Sequence, residues 1–303
     1  MKLRLIYGIG SAVLTVAAIC GLPLGVAFLL MLLLTTLLMT EFYALFKAAD
    51  PPFPIFDRFG TVCGLVLLTV VFLDALPNWP TLERADLGNW ERFVIFTTIA
   101  VVMIRQFPQK RNTQPIMTMA GTLFGVFYVA YLLTFFLRLA VGFDAGATLR
   151  TPVGPAGRFL MLFLLFTVKF SDAGALFVGC RFGKHRLFSR ISPKKTWEGL
   201  LGGVVTGMVA GMIVYGCMGE PGDVWGERIF GSLRLGLGDI LILGLLLTVL
   251  GAVGDLAESL IKRAVEAKDS GRGLPGLGGL LDMFDSLLYT APVLFFYVKA
   301  FGG

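Results

Sequence analysis

The chain has 303 residues, of which 56% are hydrophobic and 15% charged, with a mean hydropathy of +0.81. A soluble domain carries about 25% charged residues, so this chain lacks the polar side chains to cover a water-facing globule. The net charge of +6 does not point to nucleic acid either: the basic residues lie between apolar runs, not along one polar face, which suits anionic lipid head groups and phosphates.

A membrane-spanning helix needs about 20 apolar residues, and fewer where flanking side chains snorkel. In chain order the qualifying runs are 5–21, 23–46, 60–76, 92–107, 116–139, 158–179, 199–218, 237–254 and 286–301. They predict an all-α polytopic membrane protein of about nine transmembrane helices. Lys2 and Arg4 before the first run resemble a secretory leader, but the second run follows almost at once with no clear small-residue cleavage site, so the first helix is expected to be retained. The runs are continuously apolar rather than alternating, which argues against strands and a closed barrel. Cys20, Cys63, Cys180 and Cys217 are far apart with no CxxC spacing, and are expected to be small buried hydrophobes rather than zinc ligands or disulfide partners. With the N-terminus inside, most Lys and Arg residues fall on cytoplasmic segments, as the positive-inside rule requires.

Polar sequence concentrates in two stretches, 169–199 and 255–285, and both fall on the predicted cytoplasmic side. In the second, Asp255, Glu258 and Lys262 recur at helical spacing and share one face. Lys268-Asp269 follow, then a glycine-rich stretch from Gly271 to Gly279, and then Asp282 and Asp285 one turn apart at the mouth of the last apolar run. Ionised groups near bilayer depth are costly and usually functional. Neighbouring aspartates repel unless protonated or holding a cation, and an all-oxygen set favours a hard ion such as magnesium. Lys262, Arg263 and Lys268 can neutralise a polyphosphate, while glycines let backbone amides approach phosphate oxygens.

In the first stretch, Lys169, Ser171 and Asp172 interrupt an apolar run, where an unpartnered polar group is expensive. Ser192 is the expected N-cap and Pro193 the first-turn residue of the next helix, which would aim its N-terminus, with Lys194 and Lys195, at a phosphate. The single histidine, His185, cannot support a Ser-His or Cys-His dyad argument, so acyl transfer by a triad is set aside. A phosphate monoester attacking the α-phosphorus of a nucleoside triphosphate needs no general base, only positioning and charge neutralisation.

At these residues the sequence resembles the phosphatidate cytidylyltransferase (CDP-diacylglycerol synthase) family. The family pattern S-x-x-K-R, then K-D, P-G-H-G-G and D-R-x-D is matched by Ser259 through Arg263, by Lys268-Asp269, by Pro275-Gly276-Leu277-Gly278-Gly279 and by Asp282 through Asp285. The earlier block, S-D-x-G-A and I-S-P-K-K-T-W-E-G, is matched by Ser171 through Ala175 and Ile191 through Gly199. Leu277 and Met283 stand where the family usually has histidine and arginine, which leaves any role of that histidine without a residue to carry it.

The resemblance implies a magnesium-dependent inner-membrane enzyme, a homodimer, making CDP-diacylglycerol and pyrophosphate from CTP and phosphatidic acid. Potassium would be a candidate second cation. It implies catalytic roles for Asp255, Lys262, Arg263, Lys268, Asp269, Asp282 and Asp285, with Asp255, Asp282 and Asp285 around the metal. Ser171, Asp172, Lys194, Lys195, Ser259, Gly278 and Gly279 would bind substrate, and anionic lipids would surround the protein. Residues 158–303 would form the catalytic domain, and 1–157 a helical scaffold able to carry dimer contacts. The alternatives are a CTP-dependent polyprenol kinase-like enzyme, which would release CDP, and a non-catalytic transporter or scaffold. A transporter would show charges and broken helices in both halves, and the first five runs hold few midspan charges.

Overall fold

The computed structural model describes residues 16, 19–49, 52, 54–76, 84–109, 112–144, 146–222, 227–265 and 279–302. Eight helices run through them: α1 (Leu24–Lys47), α2 (Asp57–Ala75), α3 (Arg84–Ile104), α4 (Pro115–Val141), α5 (Pro155–Phe182), α6 (Trp197–Met218), α7 (Leu237–Ala264) and α8 (Leu281–Phe301). All but α3 are among the seven that are long and apolar enough to cross a membrane. The protein is an all-α polytopic membrane protein. The expected span 92–107 falls on α3, and most of 5–21 lies outside the described residues.

The apolar runs among the described residues are helices as expected, and two other expectations, the cap at Ser192-Pro193 and the burial of the cysteines, need correction. Strands are present, although short and confined to connections: β1 (Arg186–Phe188) pairs antiparallel with β2 (Ser192–Thr196), and β3 (Glu220–Pro221), β4 (Glu227–Phe230) and β5 (Leu233–Gly236) form a second antiparallel sheet. Ser192 and Pro193 therefore sit in a strand instead of opening a helix. Thr196 is the true cap of α6, its hydroxyl accepting from the Gly199 amide at 3.1 Å, because pairing with Arg186–Phe188 claims the residues before it. Cys20, Cys180 and Cys217 are exposed and Cys63 is half-buried. On helices whose outer faces meet lipid, a thiol can point outward at little cost, so burial was the wrong inference from an apolar context.

The chain divides into two compact units. One comprises Met1–Arg138, Gly146–Pro152 and Lys262–Met283. In it the Tyr43 hydroxyl donates to the Thr122 carbonyl at 2.8 Å, and Gly60 and Gly125 face the Tyr43 ring. Arg138 pairs with Glu91 at 2.6 Å. Thr35, Thr61, Thr69, Thr98 and Thr122 each donate to the carbonyl four residues back, which satisfies hydroxyls that would otherwise face a medium without water.

The other unit comprises Leu139–Ala145, Val153–Ile261 and Phe284–Gly303. Here α5 and α6 pack along a seam of α6 glycines at every fourth position: Gly199, Gly203, Gly207 and Gly211. A Cβ at these positions would meet Ala175 O, Ser171 O, Thr167 O and Phe163 respectively, all on α5. Lipid offers no hydrophobic drive between helices, so close backbone approach through small residues supplies the packing. Asp144 caps α5 by accepting from the Gly157 amide at 2.9 Å, and Phe230 of β4 stacks on Phe159 at 3.7 Å.

Candidate active site

Helices α5 and α7 run past the ends of their apolar sequence and α8 starts before its own, so most of the polar motif residues lie on helices. In the second unit this gathers charged groups from three helices and a strand. Lys195 of β2 pairs with Asp255 of α7 at 2.7 Å, and its ammonium also donates to the Ala252 carbonyl at 3.3 Å. Lys169 and Asp172, one turn apart on α5, approach to 3.6 Å. Asp172 is within electrostatic reach of Asp255, Asp285 and Lys195. Asp285 of α8 is 5% exposed and lies within electrostatic reach of Glu258, itself 1% exposed. Two carboxyl groups so close repel unless a proton or a cation lies between them. A glycine makes this approach feasible: a Cβ on Gly254 would stand 2.9 Å from the Asp285 carbonyl oxygen.

In the first unit, Lys262 pairs with Asp282 at 2.7 Å, with both side chains mostly buried. The second Asp282 oxygen accepts from the Gly279 amide at 2.8 Å. The next two amides, of Leu280 and Leu281, donate to Glu41 of α1 at 2.8 and 3.3 Å. The open amides at the start of α8 are thus taken by two carboxylates, as a helix N-terminus favours. Glu41→Ala should therefore cost about 1 kcal/mol in stability, the usual worth of a cap, and lower turnover several-fold by loosening the turn that holds Asp282. Thermal unfolding in detergent and initial rates would check both, and an unchanged rate would separate Glu41 from Asp282.

The other expected site residues are placed as follows. Ser259 points its hydroxyl at Asp255 from 3.5 Å, a weak contact. Ser171 is buried in the α5–α6 seam against Gly203, while Lys194 and Arg263 are exposed. Lys268, Asp269 and Gly278 lie outside the described residues. Glu258 and Lys169 also belong to the cluster; in the sequence Glu258 is marked by its helical spacing with Asp255 and Lys262, and Lys169 by its setting, a charge within an apolar run. Glu41 was missed, and its one signal is likewise a carboxylate closing an apolar run.

Among the described residues no group of three or more His, Cys, Asp or Glu side chains is gathered so that it could hold a metal ion alone. Magnesium commonly takes one or two protein carboxylates and fills its octahedron with water and substrate phosphates. An all-oxygen set with lysines beside it fits an ion that arrives with a polyphosphate, and does not fit zinc, which draws on Cys and His.

The model of the cytidylyltransferase family matches residues 2–301. The chain belongs to that family. It is 39% identical over 145 residues to the Escherichia coli (strain K12) protein YnbB, covering 47% of this chain and 43% of that one. It is 40% identical over 131 residues to a phosphatidate cytidylyltransferase of Bacillus subtilis (strain 168), covering 43% and 44%. Against both, the match spans less than half of the relative's length. A phosphatidate cytidylyltransferase of Staphylococcus epidermidis is 28% identical over 240 residues, covering 78% of this chain and 79% of that one. Family membership extends to the first half of the chain, where no motif of the family was read.

Proposed function

We propose that this protein transfers the cytidylyl group of CTP to phosphatidic acid, forming CDP-diacylglycerol and releasing pyrophosphate. The observation that carries the reading is the pairing of Lys195 with Asp255 beside Asp172 and Asp285, within a chain of the cytidylyltransferase family. A phosphomonoester oxygen of the lipid attacks the α-phosphorus of CTP. The bond from that phosphorus to the bridging oxygen breaks, and pyrophosphate leaves with the electron pair. The nucleophile is already ionised, so the protein needs no base to activate it.

Asp255, Asp282 and Asp285 would hold magnesium, with potassium a candidate companion, and the ion would supply charge neutralisation for the reacting phosphates. Lys195 and Lys262, each on a carboxylate now, would turn to the phosphates as these arrive, and Lys194, Arg263, Lys268 and the Gly278-Gly279 amides would add donors. Ser171, Asp172 and Ser259 would contribute to substrate binding, and Asp269 would be among the catalytic residues. In this reading the site opens to the cytoplasm from a multi-pass cell-membrane protein that works as a homodimer.

The test is purified protein with phosphatidic acid, magnesium and CTP labelled at either the α- or the γ-phosphorus. Lipid-linked α-label with released pyrophosphate is expected, and chelation of divalent ions should reduce the rate to background. CDP with γ-labelled lipid would mean phosphoryl transfer instead. No turnover in either arm would leave a transporter or scaffold.

A further inference from the structure

The β1–β2 hairpin, which joins α5 to α6, borders an open cavity of about 390 Å³ lined by Arg186, Phe188, Ser189, Arg190 and, from α7, Leu260. Its lining has two kinds of chemistry. Arg186, Arg190 and Ser189 offer charged and hydroxyl donors, whereas Phe188 and Leu260 are each 51% exposed and offer apolar surface. Arg186 is already oriented, because its guanidinium donates to the Pro193 carbonyl across the hairpin. Among the described residues Arg190 has no carboxylate partner. The acid nearest in sequence, Glu198, is taken by the amides of Lys184 and His185 and by the His185 ring at 2.6 Å. The hairpin also sits where two membrane-crossing helices end, with Phe182 and Trp197 exposed beside it, the level at which aromatic side chains mark the lipid–water boundary.

A free phosphate would satisfy the arginines but leave the apolar wall in water, and a neutral lipid would cover that wall but leave the guanidinium charges unmatched. An anionic phospholipid does both, with arginine binding phosphate oxygens in its planar fork and a basic patch at the surface drawing anionic lipid to it. We propose that this cavity binds the phosphate group of an anionic phospholipid, whose glycerol and first acyl carbons lie on Phe188 and Leu260. The phosphate could be the monoester of phosphatidic acid or the diester of a bulk lipid such as phosphatidylglycerol. The proposal stands on the cavity and not on the reaction proposed above.

The test is native mass spectrometry of the full chain in neutral detergent, titrated with dioctanoyl phosphatidic acid, phosphatidylglycerol and phosphatidylcholine, and with inorganic phosphate. Arg190→Gln should weaken one binding event for an anionic lipid by about tenfold or more, the worth of a charge-assisted hydrogen bond. Arg190→Lys should recover part of it, Phe188→Ser should weaken the same event, and phosphatidylcholine should not respond. Loss confined to phosphatidic acid identifies the monoester as the ligand, and loss for both lipids identifies the headgroup phosphate in general. Unchanged affinity for both anionic lipids in Arg190→Gln and Phe188→Ser, or inorganic phosphate binding as tightly as the lipids, overturns the proposal. The measurement uses no CTP and no turnover, so it stays readable if cytidylyl transfer fails.

Discussion

Asp282→Asn is expected to lower cytidylyl transfer by at least about a hundredfold, the scale of removing one preorganised electrostatic group from a reaction centre, in a protein that still folds and inserts. Asp282 has two visible jobs. One oxygen accepts from the Gly279 amide and closes the first turn of α8, and the other holds the Lys262 ammonium at 2.7 Å. Asparagine keeps the shape and one oxygen for the amide, so the helix start should survive. What it loses is the negative charge, which the proposed reaction needs to hold a cation and which Lys262 needs as its partner. The double variant Lys262→Met, Asp282→Asn removes both charges of a mostly buried pair and should recover much of any lost stability, while its rate stays low. Initial rates at saturating CTP and phosphatidic acid, beside unfolding curves in detergent, separate the two jobs. A full rate in Asp282→Asn would take this carboxylate out of the proposed metal set.

Legibility in the sequence followed the kind of force involved. Continuous apolar runs show themselves, so each expected span from 23–46 to 286–301 falls on a helix. Helix ends did not show themselves, because α7 continues through Asp255, Glu258 and Lys262 to Ala264. Their helical spacing was legible, but the burial of Glu258 against Asp285 in the folded chain was not, because it depends on a second helix, α8. Ser192-Pro193 has the local chemistry of a helix cap, and hairpin pairing with Arg186–Phe188 overrode it. Glu41 could not be assigned from local pattern at all, since the amides it caps lie about 240 residues along the chain. The Gly199 to Gly211 seam was readable as small residues at helical spacing, but a window average counts only its hydropathy and passes over it.

Gly207→Leu is expected to break the second unit. Gly207 lies where α6 meets two neighbours: a Cβ there would stand 2.8 Å from the Thr167 carbonyl oxygen and 3.0 Å from the Ser171 Cβ on α5, and would also press on Thr248 of α7. A flexible side chain tip could yield, but a helix backbone carbonyl cannot without moving the helix, and leucine adds three further carbons. The cost should reach or pass the upper end of ordinary overpacking, about 3 kcal/mol. The control is on the same helix: Gly216 has nothing within 4 Å of its would-be Cβ, so Gly216→Leu should melt within about 0.5 kcal/mol of the parent, as surface changes do. Function should follow the seam, because α5 carries Asp172 while Lys195 lies two residues before α6, and splaying the two helices separates groups that now share one electrostatic cluster. Size-exclusion profiles after stepwise heating would read the stability, and lipid-linked label the activity. If Gly207→Leu melted with the parent and kept its rate, the helices would not be held together through glycine, and the position of Lys195 over Asp255 would need another cause.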